Sequence, residues 1–136
     1  MKKIIFFALI LLLTPSCVEE PVVSNTIRVI PLSVTSTQWV RVPEKDGLNH
    51  YYMATFTVPE ISNYIYNNGV INMYRTYDNS TQPLPVVLHQ ENEQGNRWTQ
   101  TIDYEYKPGI VQVFVTNSDF FDVVPTAMNF KVTMIW

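Results

Sequence analysis

From Thr26 onward, hydrophobic and polar positions alternate along the chain. In 97–106 the even positions Trp98, Ile102, Tyr104 and Tyr106 are apolar or aromatic, and Arg97, Thr99, Thr101, Asp103 and Glu105 fall between them. In 128–136 the row Met128, Phe130, Val132, Met134 and Trp136 is interrupted by Asn129, Lys131 and Thr133. Successive side chains of a strand point to opposite faces, so a period of two predicts strands with one face on a core and the other in water. The stretch 110–116 differs: Val111, Val113 and Val115 oppose Ile110 and Phe114, so both faces are apolar and a central place in a sheet is expected.

The same reading along the chain predicts about eight strands, near 27–34, 38–42, 50–58, 70–77, 85–91, 97–106, 110–116 and 128–136. The breaks between them carry turn residues: Pro43 to Gly47, Glu93-Gln94-Gly95-Asn96 and Lys107-Pro108-Gly109. The last of these is so short that its flanking strands should form an antiparallel hairpin. One short helical turn is expected near residues 60–67, where Ile61, Tyr64 and Ile65 recur at i, i+3 and i+4 before Gly69. Short strands in this number predict an all-β fold, an antiparallel β-sandwich of immunoglobulin-like or jelly-roll-like type, in preference to a barrel.

The first residues follow a different pattern. Lys2 and Lys3 precede ten unbroken apolar residues, Ile4 to Leu13, and then Thr14-Pro15-Ser16-Cys17. A bilayer span needs about 20 apolar residues, whereas a secretory leader needs roughly 7–15. The segment ending Ser16-Cys17 resembles the lipobox of bacterial lipoproteins, with Thr14 standing where leucine is usual. The resemblance implies a signal peptide over 1–16, lipidation of Cys17, a tether over 17–26 and a single domain over 27–136. Several acyl chains on one cysteine make a stable anchor where one chain gives only marginal binding. Val18-Glu19-Glu20 is similar to the acidic export signal of surface lipoproteins in Bacteroidota, so the expected location is the outer membrane, either surface-exposed or facing the periplasm.

Composition then removes functions. Cys17 is the only cysteine, so the domain is expected to have no disulfide, no thiolate metal ligand and no cysteine nucleophile. Loss of Lys2 and Lys3 with the leader takes the formal charge from −3 to −5, and the remaining cations are scattered singly, which argues against a nucleic-acid partner. The four glycines Gly47, Gly69, Gly95 and Gly109 stand far apart, so no phosphate-cradling loop and no nucleotide cofactor is expected. His50 and His89 are 39 positions apart and read as strand-surface histidines. Asp103 with Glu105, and Glu91 with Glu93, share strand faces as the carboxylates of a glycan hydrolase would, but such pairs are ordinary on wet strands. Asn117, Asp119 and Asp122 could contribute oxygens to calcium within 117–122, though too few to complete a site; an Asx-type turn is the simpler expectation, and no metal is assigned.

Eight tyrosines remain as the most suggestive surplus. One of Tyr51 and Tyr52 should face outward by alternation. Tyr64, Tyr66, Tyr74 and Tyr77 cluster around the helical turn and form the candidate binding surface, tyrosine being suited to recognition and to stacking on sugar rings. The segments Val58-Pro59-Glu60-Ile61, Trp98 to Tyr104, Val115 to Asp119 and 128–136 resemble those of small lipoproteins of Bacteroidota with no assigned activity. That resemblance implies class and location and carries over no catalytic residue. The expectation is a non-enzymatic, lipid-anchored binding or adhesion module for a glycan or another envelope protein. Two alternatives stand beside it: an accessory subunit of an envelope complex, docking through its final strand if that strand lies at a sheet edge, and a glycan-active hydrolase. The oligomeric state is left open.

Overall fold

The computed structural model describes residues 25–45, 47, 49–118 and 122–136. The leader, Cys17 and most of the tether therefore lie outside the described residues. Among the described residues, nine strands form two antiparallel sheets packed as a sandwich: β1 (Ile27–Val34), β2 (Val40–Pro43), β3 (His50–Val58), β4 (Val70–Tyr77), β5 (Ser80–Pro83), β6 (Val86–Glu91), β7 (Arg97–Lys107), β8 (Gly109–Asn117) and β9 (Met128–Ile135). One sheet has the order β1-β9-β4-β5 and the other β2-β3-β8-β7-β6.

Alternation accounts for the core. The even residues of β9 (Met128, Phe130, Val132, Met134) and the odd residues of β8 (Val111, Val113, Val115) face each other across the sandwich with Ile71 and Met73 of β4, and all are buried. β8 lies between β3 and β7, the central place that its two apolar faces required. On its outer face Phe114 meets Tyr51 edge-on at 5.7 Å, so Tyr51 is the outward member of the Tyr51-Tyr52 pair and Tyr52 the inward one. β7 and β8 join through Pro108-Gly109, with Lys107 opposite Ile110 and Gly109 at φ 78°, a turn that needs proline's fixed φ and then glycine's positive one.

The short helix expected near 60–67 is α1 (Asn63–Asn68), whose start is set by the Ser62 hydroxyl, which accepts the Ile65 amide at 3.2 Å. Ile61 and Ile65 are buried but Tyr64 is not, so the i, i+3, i+4 stripe does not describe its inner face. β5 was not expected, since Ser80-Thr81-Gln82-Pro83 has no alternation; it forms by folding back on β4 through Asp78-Asn79, with Asp78 at φ 48°. Residues 36–38 form a 3-10 turn ahead of buried Trp39, which delays β2 to Val40. β9 is paired on both sides, with β1 and with β4, so it has no open edge through which to accept another strand.

The pairing also fixes which elements share an end. Ile27 and Val70 both lie opposite Ile135, and Val58 lies opposite Gly109, whose amide donates to the Ile61 carbonyl at 2.8 Å; this is the α1 end. Val34 opposite Met128, Pro43 opposite His50, and Gln100 opposite Asn117 mark the other end. Phe130→Ala, which removes a fully buried ring meeting Phe56 edge-on at 6.2 Å, should destabilise the domain by about 3–5 kcal/mol. Ile27→Ala on the exposed edge strand should change stability by less than about 0.5 kcal/mol. Urea unfolding followed by tryptophan fluorescence measures both.

Candidate functional site

The end opposite α1 is organised by polar residues that β3 sends inward. Even positions of β3 face the core, so His50 and Tyr52 bring an imidazole and a phenol to the last turns of that face. They are only 6% and 3% exposed. Polar groups buried this deeply cost several kcal/mol unless bonded, and the link between β8 and β9 supplies the partner. Tyr52 donates its hydroxyl to Asp122 Oδ1 in a short hydrogen bond. His50 Nε2 lies 3.2 Å from the same oxygen, and its ring meets that of Tyr52 edge-on at 5.6 Å. Arg41, opposite Tyr52 in the β2–β3 register, donates from Nε to both carboxylate oxygens at 3.0 Å.

The electrostatics are those of a fastening. Burial, reinforced by the bond to Asp122, pushes the Tyr52 phenol up to about 12. The Tyr52 hydroxyl first, and then the Arg41 guanidinium, hold the Asp122 carboxyl below its usual range. A neutral phenol on an ionised carboxylate is a donor and not a base at neutral pH. Three further bonds hold the same link: Trp39 Nε1 donates to the Thr126 carbonyl at 3.1 Å, the Ser118 amide donates to the Thr99 carbonyl at 2.9 Å, and the Thr99 amide donates to the Ser118 hydroxyl at 2.9 Å.

Fixed in this way, the link becomes one wall of a cleft of about 510 Å³. Val123, Val124 and Pro125 form that wall, and Asn92, Asn96 and Trp98 of the β6–β7 hairpin form the opposite one. The hairpin orders itself, since Asn92 Oδ1 accepts the amides of Gln94 and Asn96 at 3.1 and 2.9 Å. Gln100 donates to Asn117 Oδ1 at 3.1 Å between the walls, and Arg75 of β4 reaches the cleft from the other sheet. Among the described residues, the side chains of Arg75, Gln90, Asn96 and Trp98 make no hydrogen bond and no ion pair. A second depression of about 520 Å³ adjoins the first across Gln90 and Trp98 and includes His89.

The four tyrosines of the expected binding surface are not brought together. Tyr64 and Tyr66 sit on α1 at the far end; Tyr64 is 64% exposed, and Tyr66 meets Tyr106 edge-on at 5.9 Å. Tyr74 lies mid-strand on the outer face of β4 beneath the Lys131 ammonium, 5.3 Å from its ring centroid. Only Tyr77 reaches the cleft end, where the Arg75 guanidinium lies over its ring at 5.3 Å. His50 is not the surface histidine expected, because its strand parity turns it inward; His89 is exposed as expected. Asn117 and Asp122 hold protein donors, Gln100 and the Arg41–Tyr52 pair respectively, and Asp119 lies outside the described residues. Asp103, Glu105, Glu91 and Glu93 are all exposed, and Glu91 binds Arg97 at 2.9 Å.

Sequence reasoning did not find the Asp122 fastening, although one signal was present: a histidine and a tyrosine share the inward parity of β3 with Ala54 and Val58 and so need an internal partner. Comparison with protein-family models, with curated proteins and with solved structures yields no match to this chain.

The fastening gives a pH signature. The raised Tyr52 phenol contributes stability that is complete below its ordinary value of 10.0 and is lost as pH climbs from there toward 12. The lowered Asp122 carboxyl contributes stability present above its ordinary 3.8 and lost as pH falls through its folded value. Tyr52→Phe should remove the alkaline loss and flatten the acid one relative to the wild type, read from urea midpoints across the pH range. Parallel pH profiles for the two proteins would contradict it.

Proposed function

We propose that this chain is a lipid-anchored protein of a bacterial outer membrane, held through Cys17, and that its sandwich is a non-enzymatic binding or adhesion module. In this reading it belongs with the small lipoproteins of Bacteroidota that its leader and strand segments resemble. The observation that carries the binding role is the cleft of about 510 Å³ between the β6–β7 hairpin and the Val123–Pro125 wall. Its lining is rich in carboxamides, each able to donate and accept together, with one indole. That set suits a polyhydroxylated ligand, whose hydroxyls also donate and accept and whose C–H faces pack on an aromatic ring. A glycan is therefore the proposed ligand.

The direction of β1 supports the anchored arrangement. The chain enters the sandwich at Ile27, at the α1 end, and β1 runs eight residues to Val34 at the cleft end. At about 3.3 Å per residue this separates the entry point from the cleft by roughly 25 Å. A lipid on Cys17 would therefore join the domain at the α1 end, opposite the cleft.

Two measurements test the two halves of this reading. Cys17→Ala should abolish palmitate labelling and move the chain from the membrane to the soluble fraction; unchanged fractionation would overturn the anchor. On a glycan array, Trp98→Ala should weaken binding at least about tenfold, equivalent to about 1.4 kcal/mol, while Tyr64→Ala at the other end leaves it unchanged. Equal losses in the two variants would remove the cleft as the binding site.

A further inference from the structure

We infer that the cleft selects a saccharide bearing a carboxylate, with Arg75 recognising the charge and Tyr77 positioning Arg75. The inference rests on the glycan-binding reading and adds the chemistry of the ligand. It begins from the four arginines of the described chain. Arg28 pairs with Glu60 at 3.1 Å, Arg41 with Asp122 at 3.0 Å and Arg97 with Glu91 at 2.9 Å. Arg75 has no carboxylate partner among the described residues, in a chain where acids outnumber bases twelve to nine.

Its place on the strand makes this more telling. Odd positions of β4 face inward, so Arg75 continues the row of Ile71 and Met73 and stands opposite Phe130 in the register. It is half-buried and reaches the cleft, yet among the described residues the cleft lining holds no aspartate or glutamate. Of the two hairpin acids that flank the lining residue Asn92, Glu91 is occupied by Arg97 and Glu93 is exposed to solvent. A cation set among neutral groups and partly shielded from water attracts a counter-charge more strongly than one in open solvent.

The neighbours of Arg75 suit it to recognition. The guanidinium carbon lies over the Tyr77 ring, 5.3 Å from its centroid, a contact that steadies the charge without consuming its hydrogen-bond donors. A planar fork matches a planar carboxylate, and a single positive charge matches a single negative one, whereas a phosphate monoester carries nearly two. The side chains of Gln90, Asn96 and Trp98, which make no hydrogen bond within the described residues, remain for the hydroxyls. The complementary ligand has one carboxylate among several hydroxyls, as in a uronic or sialic acid residue.

The test uses the full lipidated protein in detergent on an array carrying oligogalacturonate, its methyl ester, neutral galactan, sialylated, sulfated and phosphorylated glycans. The wild type should bind the free-acid oligogalacturonate or the sialylated glycans at least tenfold more tightly than the methyl ester and the neutral glycan, with the preference shrinking as salt rises. Arg75→Gln should abolish the preference for the free acid over its methyl ester, with an unchanged melting temperature showing that the fold is kept. Tyr77→Ala should reduce the preference severalfold, and Tyr77→Phe, which keeps the ring, should restore it. Glycan binding without preference for carboxylate, a preference for sulfate or phosphate, or a carboxylate preference that survives Arg75→Gln would each overturn the inference and leave the glycan-binding reading standing. Absence of binding to every glycan would overturn both.

Discussion

The hydrogen bond from Tyr52 to Asp122 decides how one end of this sandwich is built. The chain must leave β8 in one sheet and begin β9 in the other, and it does so across the end where β3 turns His50 and Tyr52 inward. Without a partner, those two polar side chains would be buried at a cost. One carboxylate meets both, and Arg41 balances its charge from the neighbouring strand. Trp39 and Ser118 then hold the link four residues to either side, at Thr126 and at its start. The position of the Val123–Pro125 wall, and with it the width of the cleft, follows from these three fastenings.

The rest of the fold tolerates such a polar end because its centre is closed. β8 and β9 are each paired on both sides and contribute the most deeply buried rows, so the sandwich does not draw on crosslinks. Its open margins are defended. Of the four edge strands, β1 contains Pro31, β2 ends on Pro43 and β5 ends on Pro83, each a position that cannot donate a ladder hydrogen bond to an added strand. β6 follows Pro85 and alone has no proline within it. Strand addition by a partner is thus discouraged along most of the rim, which weighs toward recognition in a cleft and away from docking along an edge.

What the sequence made legible follows from how locally each feature is encoded. The alternation in 128–136 and the doubly apolar 110–116 could be read directly, because strand parity and burial on one or both faces are properties of neighbouring residues. β5 could not: Ser80-Thr81-Gln82-Pro83 is a strand only because β4 is already there to pair with it. The helix start is set by a single hydroxyl, Ser62, that an apolar periodicity does not register. The cleft is the least local feature of all. Gln90 meets Trp98 and Gln100 meets Asn117 only through strand register, and Arg75 joins them only when the second sheet packs down. The tyrosine surplus pointed to recognition but spread it over both ends, because proximity in sequence does not decide at which end of a strand a side chain emerges.

The two halves of the cleft end treat their polar groups in opposite ways. At the fastening, every titratable group has a partner, and burial holds the phenol neutral while its neighbours keep the carboxylate ionised. Across the cleft from that link, the side chains of Arg75, Gln90, Asn96 and Trp98 make no hydrogen bond among the described residues. For stability alone, a cation at an inward-facing strand position opposite Phe130 would be better replaced by an apolar residue extending the row of Ile71 and Met73. A sequence consistent at every other level departs from that consistency where something besides folding is being selected. That departure lies in the walls of a cleft at the end of the sandwich away from Ile27, and it is why the proposed function is attached to the cleft and not to the tyrosine-bearing helix.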